Sequence, residues 1–431
     1  MKNKVLIITY YWPPSGGSGV QRWLKFVKYL REFGWEPVIY TPENPEAPSI
    51  DNSLLIDIPE HISVIKTKIL EPYSLYKFFV GKSKKSTIKT GFLSEKESST
   101  VKEKFSIWIR SNFFIPDARK FWINPSVKFL KKYLKKNHVD VIVSTGPPHS
   151  MHIIADRLKQ KFAIPWLADF RDPWTNIDFY EELKLSKRAD LKHHKLEYNV
   201  LKNSDIVTII SSGMREDFLK IYKRNYNVIP NGFDDTVISQ DISLNEKFTI
   251  AHIGSMAKSR NPIVFWRSIS ELIIDNENLS KDLEILLVGS VDFSIKKTIE
   301  DFNLQHFVKY VDYLPHNEIL KLQRKAQVLL LIINNTPNAK LVMTSKLFEY
   351  MAAERPILCI GPEDGDAAYA IKDTNTGLVS GFEDSKLLRS NILKYYNLFL
   401  KNELLVKSKN IEKYSRKNLT RNMSELLDKL L

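Results

Sequence analysis

A hydroxyl pair, a lysine and a glutamate stand together in Thr344-Ser345-Lys346-Leu347-Phe348-Glu349-Tyr350-Met351-Ala352-Ala353. The stretch follows the apolar run Val328-Leu329-Leu330-Leu331-Ile332-Ile333 and precedes another, Pro356-Ile357-Leu358-Cys359-Ile360. It therefore reads as a helix between two buried parallel strands. Thr344 or Ser345 would open that helix, with free backbone N–H groups and the positive dipole end pointing out of the loop. Lys346 adds a full charge there, and Glu349 lies one turn further in. Such a set can hold a diphosphate by its oxygens and a sugar by its hydroxyls. Capping alone accounts poorly for the acid: with Ser345 as N-cap, Glu349 falls at N4, one place beyond the capping-box position.

Three other stretches carry suitable groups. Pro13-Pro14-Ser15-Gly16-Gly17-Ser18-Gly19 runs from a strand into a helix, and backbone N–H groups at Gly16 and Gly17 could meet a phosphate or a sugar. It has neither the G-x-G-x-x-G spacing nor a Walker lysine, and a glycine turn is common at any such junction. His252-Ile253-Gly254-Ser255-Met256-Ala257-Lys258-Ser259-Arg260-Asn261 occupies the same place in the second half. Gly254 and Ser255 give a tight turn there, and Lys258 and Arg260 could reach phosphate oxygens, which the planar arginine fork suits. Asp169-Phe170-Arg171-Asp172-Pro173-Trp174 follows a strand and would bring two carboxylates and an arginine to the place where an acceptor hydroxyl loses its proton. An ion pair that merely holds the loop explains Asp169–Arg171 or Arg171–Asp172 equally well. His149, after Thr145-Gly146-Pro147-Pro148, opens a helix that could face the same place, whereas His193-His194 reads as a solvated helix pair. Asp364-Gly365-Asp366 resembles a metal-binding D-x-D, but Asp366 reads better as a helix N-cap. There is no Cys/His cluster and no H-E-x-x-H, so no metal ligands are assigned.

The elements that must position these groups alternate between strand and helix, the pattern of parallel sheets built from βαβ units. Strands are predicted at 4–9, 36–40, 63–67, 139–144, 165–169, 206–210 and 228–230, with helices near 19–33, 125–136, 149–161 and 213–222. The pattern restarts with strands at 248–252, 284–288, 308–311, 328–333, 357–360 and 377–379. Two doubly wound α/β domains follow, 1–235 and 248–410, joined by a polar, aperiodic linker at 236–247. Ligand is expected in a cleft between the domains, at the carboxyl ends of the strands.

At 431 residues the chain is too long for one ordinary core, which agrees with two domains. Its apolar runs are far shorter than the ~20 residues of a membrane span, and the first ten residues read as a buried strand rather than a leader. A single cysteine, Cys359, excludes an internal disulfide and fits a reducing compartment, so a cytoplasmic location is expected. Much of the net charge of +14 falls in 76–136, with 16 Lys and Arg against 4 acids and ten interleaved Phe and Trp. That insertion-like window suits an anionic membrane surface or an acidic lipid-linked acceptor. Nucleic acid could use the same features, as could a solvated lysine-rich face.

Together these residues resemble the retaining, nucleotide-sugar-dependent glycosyltransferases of the GT-B type, family 4. The likeness rests on the opening strand with Gly16-Gly17, on Ser204-Asp205-Ile206-Val207-Thr208, on Val228-Ile229-Pro230-Asn231-Gly232-Phe233-Asp234, and on Lys346-Leu347-Phe348-Glu349-Tyr350. It covers most of the chain outside 76–136. By resemblance, two Rossmann-like domains face each other across a cleft, the first taking a glycan or lipid-linked acceptor and the second the nucleotide-sugar donor. A last helix, 411–431, would cross back onto the first domain. The resemblance assigns the donor to Gly16, Gly17, Gly254, Ser255, Lys258, Arg260, Thr344, Ser345, Lys346 and Glu349, and the chemistry to Arg171, Asp172, Arg260 and Lys346. His149 and Asp169 fall on the acceptor side. It implies a role in surface polysaccharide assembly, with no cofactor, no required metal and no specific nucleic acid.

This sequence departs from the family at three places. The first glutamate of the usual E-x7-E falls at Leu341, while Glu349 matches the second, which holds the ribose. The usual Gly-Arg is Gly254-Ser255, with Arg260 at the position of the usual lysine. Arg171, followed by Asp172, takes the place of a histidine. A nucleotide-sugar epimerase of the same fold, or a non-catalytic basic binding protein, are the rival readings.

Overall fold

The computed structural model describes residues 2–47, 49–70, 108–234, 243–312, 314 and 316–431. Most of the basic window and of the expected linker thus lies outside the described residues. The chain divides into two compact units, Met1–Pro230 with Arg416–Leu431, and Asn231–Ser415.

The first unit holds a seven-stranded sheet: β1 Asn3–Ile8, β2 Trp35–Pro42, β3 Ser63–Thr67, β4 Val141–Gly146, β5 Trp166–Phe170, β6 Ile206–Ile209 and β7 Asn227–Val228. Their order is β3-β2-β1-β4-β5-β6-β7, and every ladder is parallel. Parallel strands need crossovers on the faces, which explains why β1, β4 and β5 are buried along nearly their whole length. Helices Ser18–Leu30 and Ser150–Phe162 supply two of those covers. The final helix, Arg416–Asp428, belongs to this unit: Leu419, Met423 and Leu427 enter a core with Trp23, Val27 and Trp35, and Trp35 Nε1 donates to Asp428 Oδ1 at 2.9 Å.

The second unit repeats the plan with β8 Phe248–Ile253, β9 Leu283–Val288, β10 Val308–Val311, β11 Val328–Ile332, β12 Ile357–Ile360 and β13 Gly377–Ser380. The order is β10-β9-β8-β11-β12-β13, again parallel. Cys359 is buried in β12, and burial pushes its thiol up to about 12, so it packs as a small apolar group. In each unit the winding reverses once, between β1 and β4 and between β8 and β11. Doubly wound sheets bind ligands outside the carboxyl ends of the strands at this reversal. Among the described residues, no helix is long and apolar enough to cross a membrane.

Candidate functional site

In the second unit, the loops after β8 and β11 and the helix Ser345–Ala352 bring the expected donor residues together. Gly254 follows β8 with φ +113°. A Cβ there would lie 2.6 Å from both Cε and Nζ of Lys346, so the lysine chain lies across the glycine. Burial, then the neighbouring Arg260, lowers the Lys346 ammonium to about 8 against a smaller opposing pull from Glu349. Arg260 Nε donates to Asn334 Oδ1 at 2.6 Å, which ties it to the loop after β11. His252, two places before Gly254, hydrogen-bonds Leu330 O through Nδ1 at 3.0 Å. A carbonyl only accepts, so His252 carries its proton on Nδ1, and its buried Nε2 lone pair has no partner. Burial and the Lys346 charge hold this imidazole well below its ordinary range.

The helix start differs in detail from the sequence expectation. Thr344 is the N-cap, and no side chain caps the helix, so Glu349 stands at its fifth position. The Thr344 Oγ1 is instead buried with no partner, a polar atom left for something else. Gln323, fully buried, reaches Glu349 Oε2 through Nε2 at 3.4 Å, and Tyr350 OH takes the Ile253 N–H at 3.0 Å. Ser345 is half-buried, whereas Ser255 and Lys258 are exposed; the hydroxyl and N–H of Ser294, with a lesser pull from Lys258, hold the Asp292 carboxyl low. Asp366 is the first helical residue of Asp366–Thr374, and Gly365 is the N-cap in its place. Asp364 pairs with Lys340 at 2.5 Å on the surface.

In the first unit, Asp169 is not on an acceptor surface. It is fully buried, paired with Arg22 at 2.8 Å, and accepts from Trp23 Nε1 at 2.7 Å, Thr145 Oγ1 at 2.9 Å and Thr208 Oγ1 at 2.8 Å. Burial pushes the carboxyl up, but Arg22 and these donors hold it below its ordinary value. Arg22 also donates to Ile229 O and Pro230 O. Asp169 and Arg22 thus fasten the strands together, and the ion pair expected with Arg171 is made with Arg22. Gly16 does not offer its N–H to a ligand either: it donates to Ser49 O at 2.8 Å, and a Cβ would strike Ser49 Oγ at 2.6 Å. Gly17, the N-cap of Ser18–Leu30, has open space around its Cα.

The loop after β5 is held by helix Lys187–Asn203, whose buried face carries His193 and Glu197 among Ala189, Val200 and Leu201. Its buried Glu197 accepts from the Trp174 N–H at 3.3 Å and from Thr175 Oγ1 at 2.5 Å, while His193 Nδ1 accepts from Trp174 Nε1 at 3.0 Å. His193 is therefore buried against Trp174, not a solvated residue. Trp174 stacks flat on His149, with centroids 4.4 Å apart and planes 1° from parallel. Arg171 donates to Pro147 O, and its guanidinium stands over the Tyr11 ring. Burial raises the Asp172 carboxyl to about 6; Arg171 opposes the rise and Asp178 adds to it. A carboxyl so placed can take a proton near neutrality. Among the described residues no His, Cys, Asp and Glu group is arranged to hold a metal ion.

Sequence reasoning missed Asn334, Gln323, His152, Trp174, His193 and Glu197. The pair Asn334-Asn335 directly after an apolar strand and the His149/His152 spacing were signals for two of them.

No protein-family model matches the chain. No curated protein matches it either. Solved structures do resemble it along its whole length. The sucrose-phosphate synthase of Thermosynechococcus elongatus superposes with a TM-score of 0.62 at 15% identity, covering 100% of this chain and 99% of that one. Anabaena HepE, solved with UDP-glucose, gives 0.62 at 12% identity, covering 99% of each chain. WaaG, a glycosyltransferase involved in lipopolysaccharide biosynthesis, gives 0.58 at 14% identity, covering 98% of this chain and 99% of that one. At such identities the likeness shows the fold: two Rossmann-like units of the GT-B class.

Proposed function

We propose that this chain transfers a sugar from a nucleoside diphosphate sugar to a hydroxyl of a glycan or lipid-linked glycan, with retention, in surface polysaccharide assembly. The observation that carries the reading is Lys346 laid across Gly254 beside Arg260, at a helix start whose Thr344 Oγ1 is buried without a partner. Two mutually repelling cations held this close are stabilised by an anion, and a diphosphate fits them. As the glycosidic bond breaks, its electron pair goes to the diphosphate oxygen, where Lys346, Arg260 and the helix N–H groups neutralise it. The acceptor oxygen forms the new bond to the anomeric carbon on the face the diphosphate leaves, and its proton passes to Asp172. Glu349, steadied by Gln323, takes the ribose hydroxyls, and Ser345 lies at the same helix start. Gly17 leaves room beside the first helix of the acceptor unit. No cofactor or metal enters this scheme.

The proposed setting is the cytoplasmic face of an anionic membrane. Helix Lys120–Leu134 exposes Phe121 and Phe129, with the exposed Lys128 and Lys132 on the same element. Sedimentation with phosphatidylglycerol vesicles, lost at high salt, tests that surface.

A thermal-shift screen with UDP-, GDP- and CMP-sugars tests the donor site, because a ligand that binds only the folded chain raises its melting point. One nucleotide class is expected to do so in the wild type and to lose the effect in Arg260→Ala and Glu349→Ala. If both variants respond like the wild type, the donor site is misassigned.

A further inference from the structure

A chain of hydrogen bonds beneath the loop after β4 ends in two unsatisfied nitrogens. The Trp166 indole can only donate, and it donates to Ser144 Oγ at 2.8 Å. Ser144 Oγ lies 2.8 Å from His152 Nδ1, and with Trp166 its only other partner among the described residues, the arrangement that uses the hydroxyl proton has Ser144 donating to that nitrogen. His152 therefore keeps its proton on Nε2, which is buried and has no partner. His149 Nδ1 is likewise buried without a partner. A Cβ placed on Gly146 would lie 2.6 Å from His152 Nε2 and 3.0 Å from His149 Nδ1, and the ring centroids are 5.8 Å apart. The two nitrogens thus converge on one point, one with a proton to give. One bridging water, accepting from His152 Nε2–H and donating to His149 Nδ1, satisfies both.

We propose that His152 is a positioning residue that fixes His149 as a neutral hydrogen-bond donor to the acceptor substrate, an inference that rests on reading this unit as the acceptor-binding one. With Nδ1 accepting from His152 through that water, the His149 proton must sit on Nε2, which is not among the buried unpartnered atoms. The ring cannot swing, because it is stacked on Trp174. The groups facing His149 are His152, His193 and Arg171, and those facing His152 are Asp169 and Arg171. Burial first, then the neighbouring imidazoles and the Arg171 charge, oppose protonation of His149, so it remains neutral where an ordinary histidine titrates. His149 then offers an N–H to a lone pair on an acceptor hydroxyl or sugar ring oxygen, and proton removal is left to Asp172.

The test is a long-range 1H–15N correlation spectrum of the full chain labelled with 15N-histidine, with His149 assigned by its loss in His149→Gln. The expected wild-type signal has the proton on Nε2 and does not move between about pH 5.5 and 8.5. A proton on Nδ1, or titration in that range, overturns the proposal, and this spectrum needs no variant of His152. His152→Phe is expected to abolish the single His149 tautomer and to lower kcat about tenfold at unchanged donor KM, whereas His152→Gln, which keeps a donor amide, restores both. An unchanged tautomer in His152→Phe also overturns it. If the tautomer pattern holds while no acceptor is glycosylated, the hydrogen-bond chain stands and the transferase reading fails.

Discussion

Gly254→Ala separates the phosphate role of Lys346 from any structural one. The added Cβ would sit 2.6 Å from Lys346 Cε and Nζ, well inside the usual ~3.5–4.0 Å contact, so the lysine must leave. The φ of +113° also strains any residue but glycine, by about 1–3 kcal/mol. At about 2–4 °C per kcal/mol for a unit this size, the melting point should fall by about 2–12 °C. Loss of one charge-assisted hydrogen bond, about 1.5–3 kcal/mol, should weaken nucleoside diphosphate binding about 10- to 150-fold by calorimetry. Gly34→Ala is the control: its φ is +84° with nothing within 4 Å, so it should cost stability and leave nucleotide affinity intact. If Gly254→Ala melts lower yet binds nucleotide as tightly as the wild type, Lys346 does not touch the phosphates.

Other expected outcomes follow from the titrating and buried groups. Lys346 is lowered from 10.5 to about 8, so the unfolded chain binds the extra proton between those values, and this residue's contribution to stability rises with pH there. Anion binding favours the charged form, so nucleotide affinity should fall above about pH 8 and binding should take up protons, while Lys346→Arg should flatten both trends in calorimetry. Asp172 is raised from 3.8 to about 6, so the folded chain binds more protons across that window and its contribution to stability falls as pH rises through it. Its ionisation should give kcat/KM an acid limb near pH 6, and Asp172→Asn should lose about 10²–10⁴ of activity without a lower melting point. Asp169→Asn should behave oppositely: it leaves Arg22 buried without its partner charge, costing about 3–5 kcal/mol in denaturant unfolding.

The central strands of both sheets were legible because parallel strands buried on both faces read as short apolar runs between turns, and the partly exposed edge strands β3, β7 and β10 were legible from their place in the strand–helix alternation. Their limits were less so. The expected strand 139–144 lies at Val141–Gly146, since the register is set by β1 and β5 rather than by the local run. Helix Lys187–Asn203 escaped periodicity because His193 and Glu197 occupy its inward face beside Ala189 and Leu201. That Lys346 and Arg260 are neighbours was legible because each stands in or just beyond the loop that follows an apolar strand. Asp169 was misplaced because adjacent charges in a sequence suggest partners, while its partner, Arg22, stands on a helix 147 residues away. Hydrogen bonding across the sheet, which decides whether a carboxylate is free or spent, leaves no local trace.

The most direct measurement is nucleoside diphosphate release from the donor identified by thermal shift, with and without glycan or lipid-linked acceptors, in the wild type and Lys346→Ala. A transferase releases the nucleotide only as an acceptor gains the sugar, with the anomeric configuration of the donor kept, and Lys346→Ala abolishes release. Acceptor-independent release of a free epimerised sugar, or no turnover of any donor that binds, contradicts it.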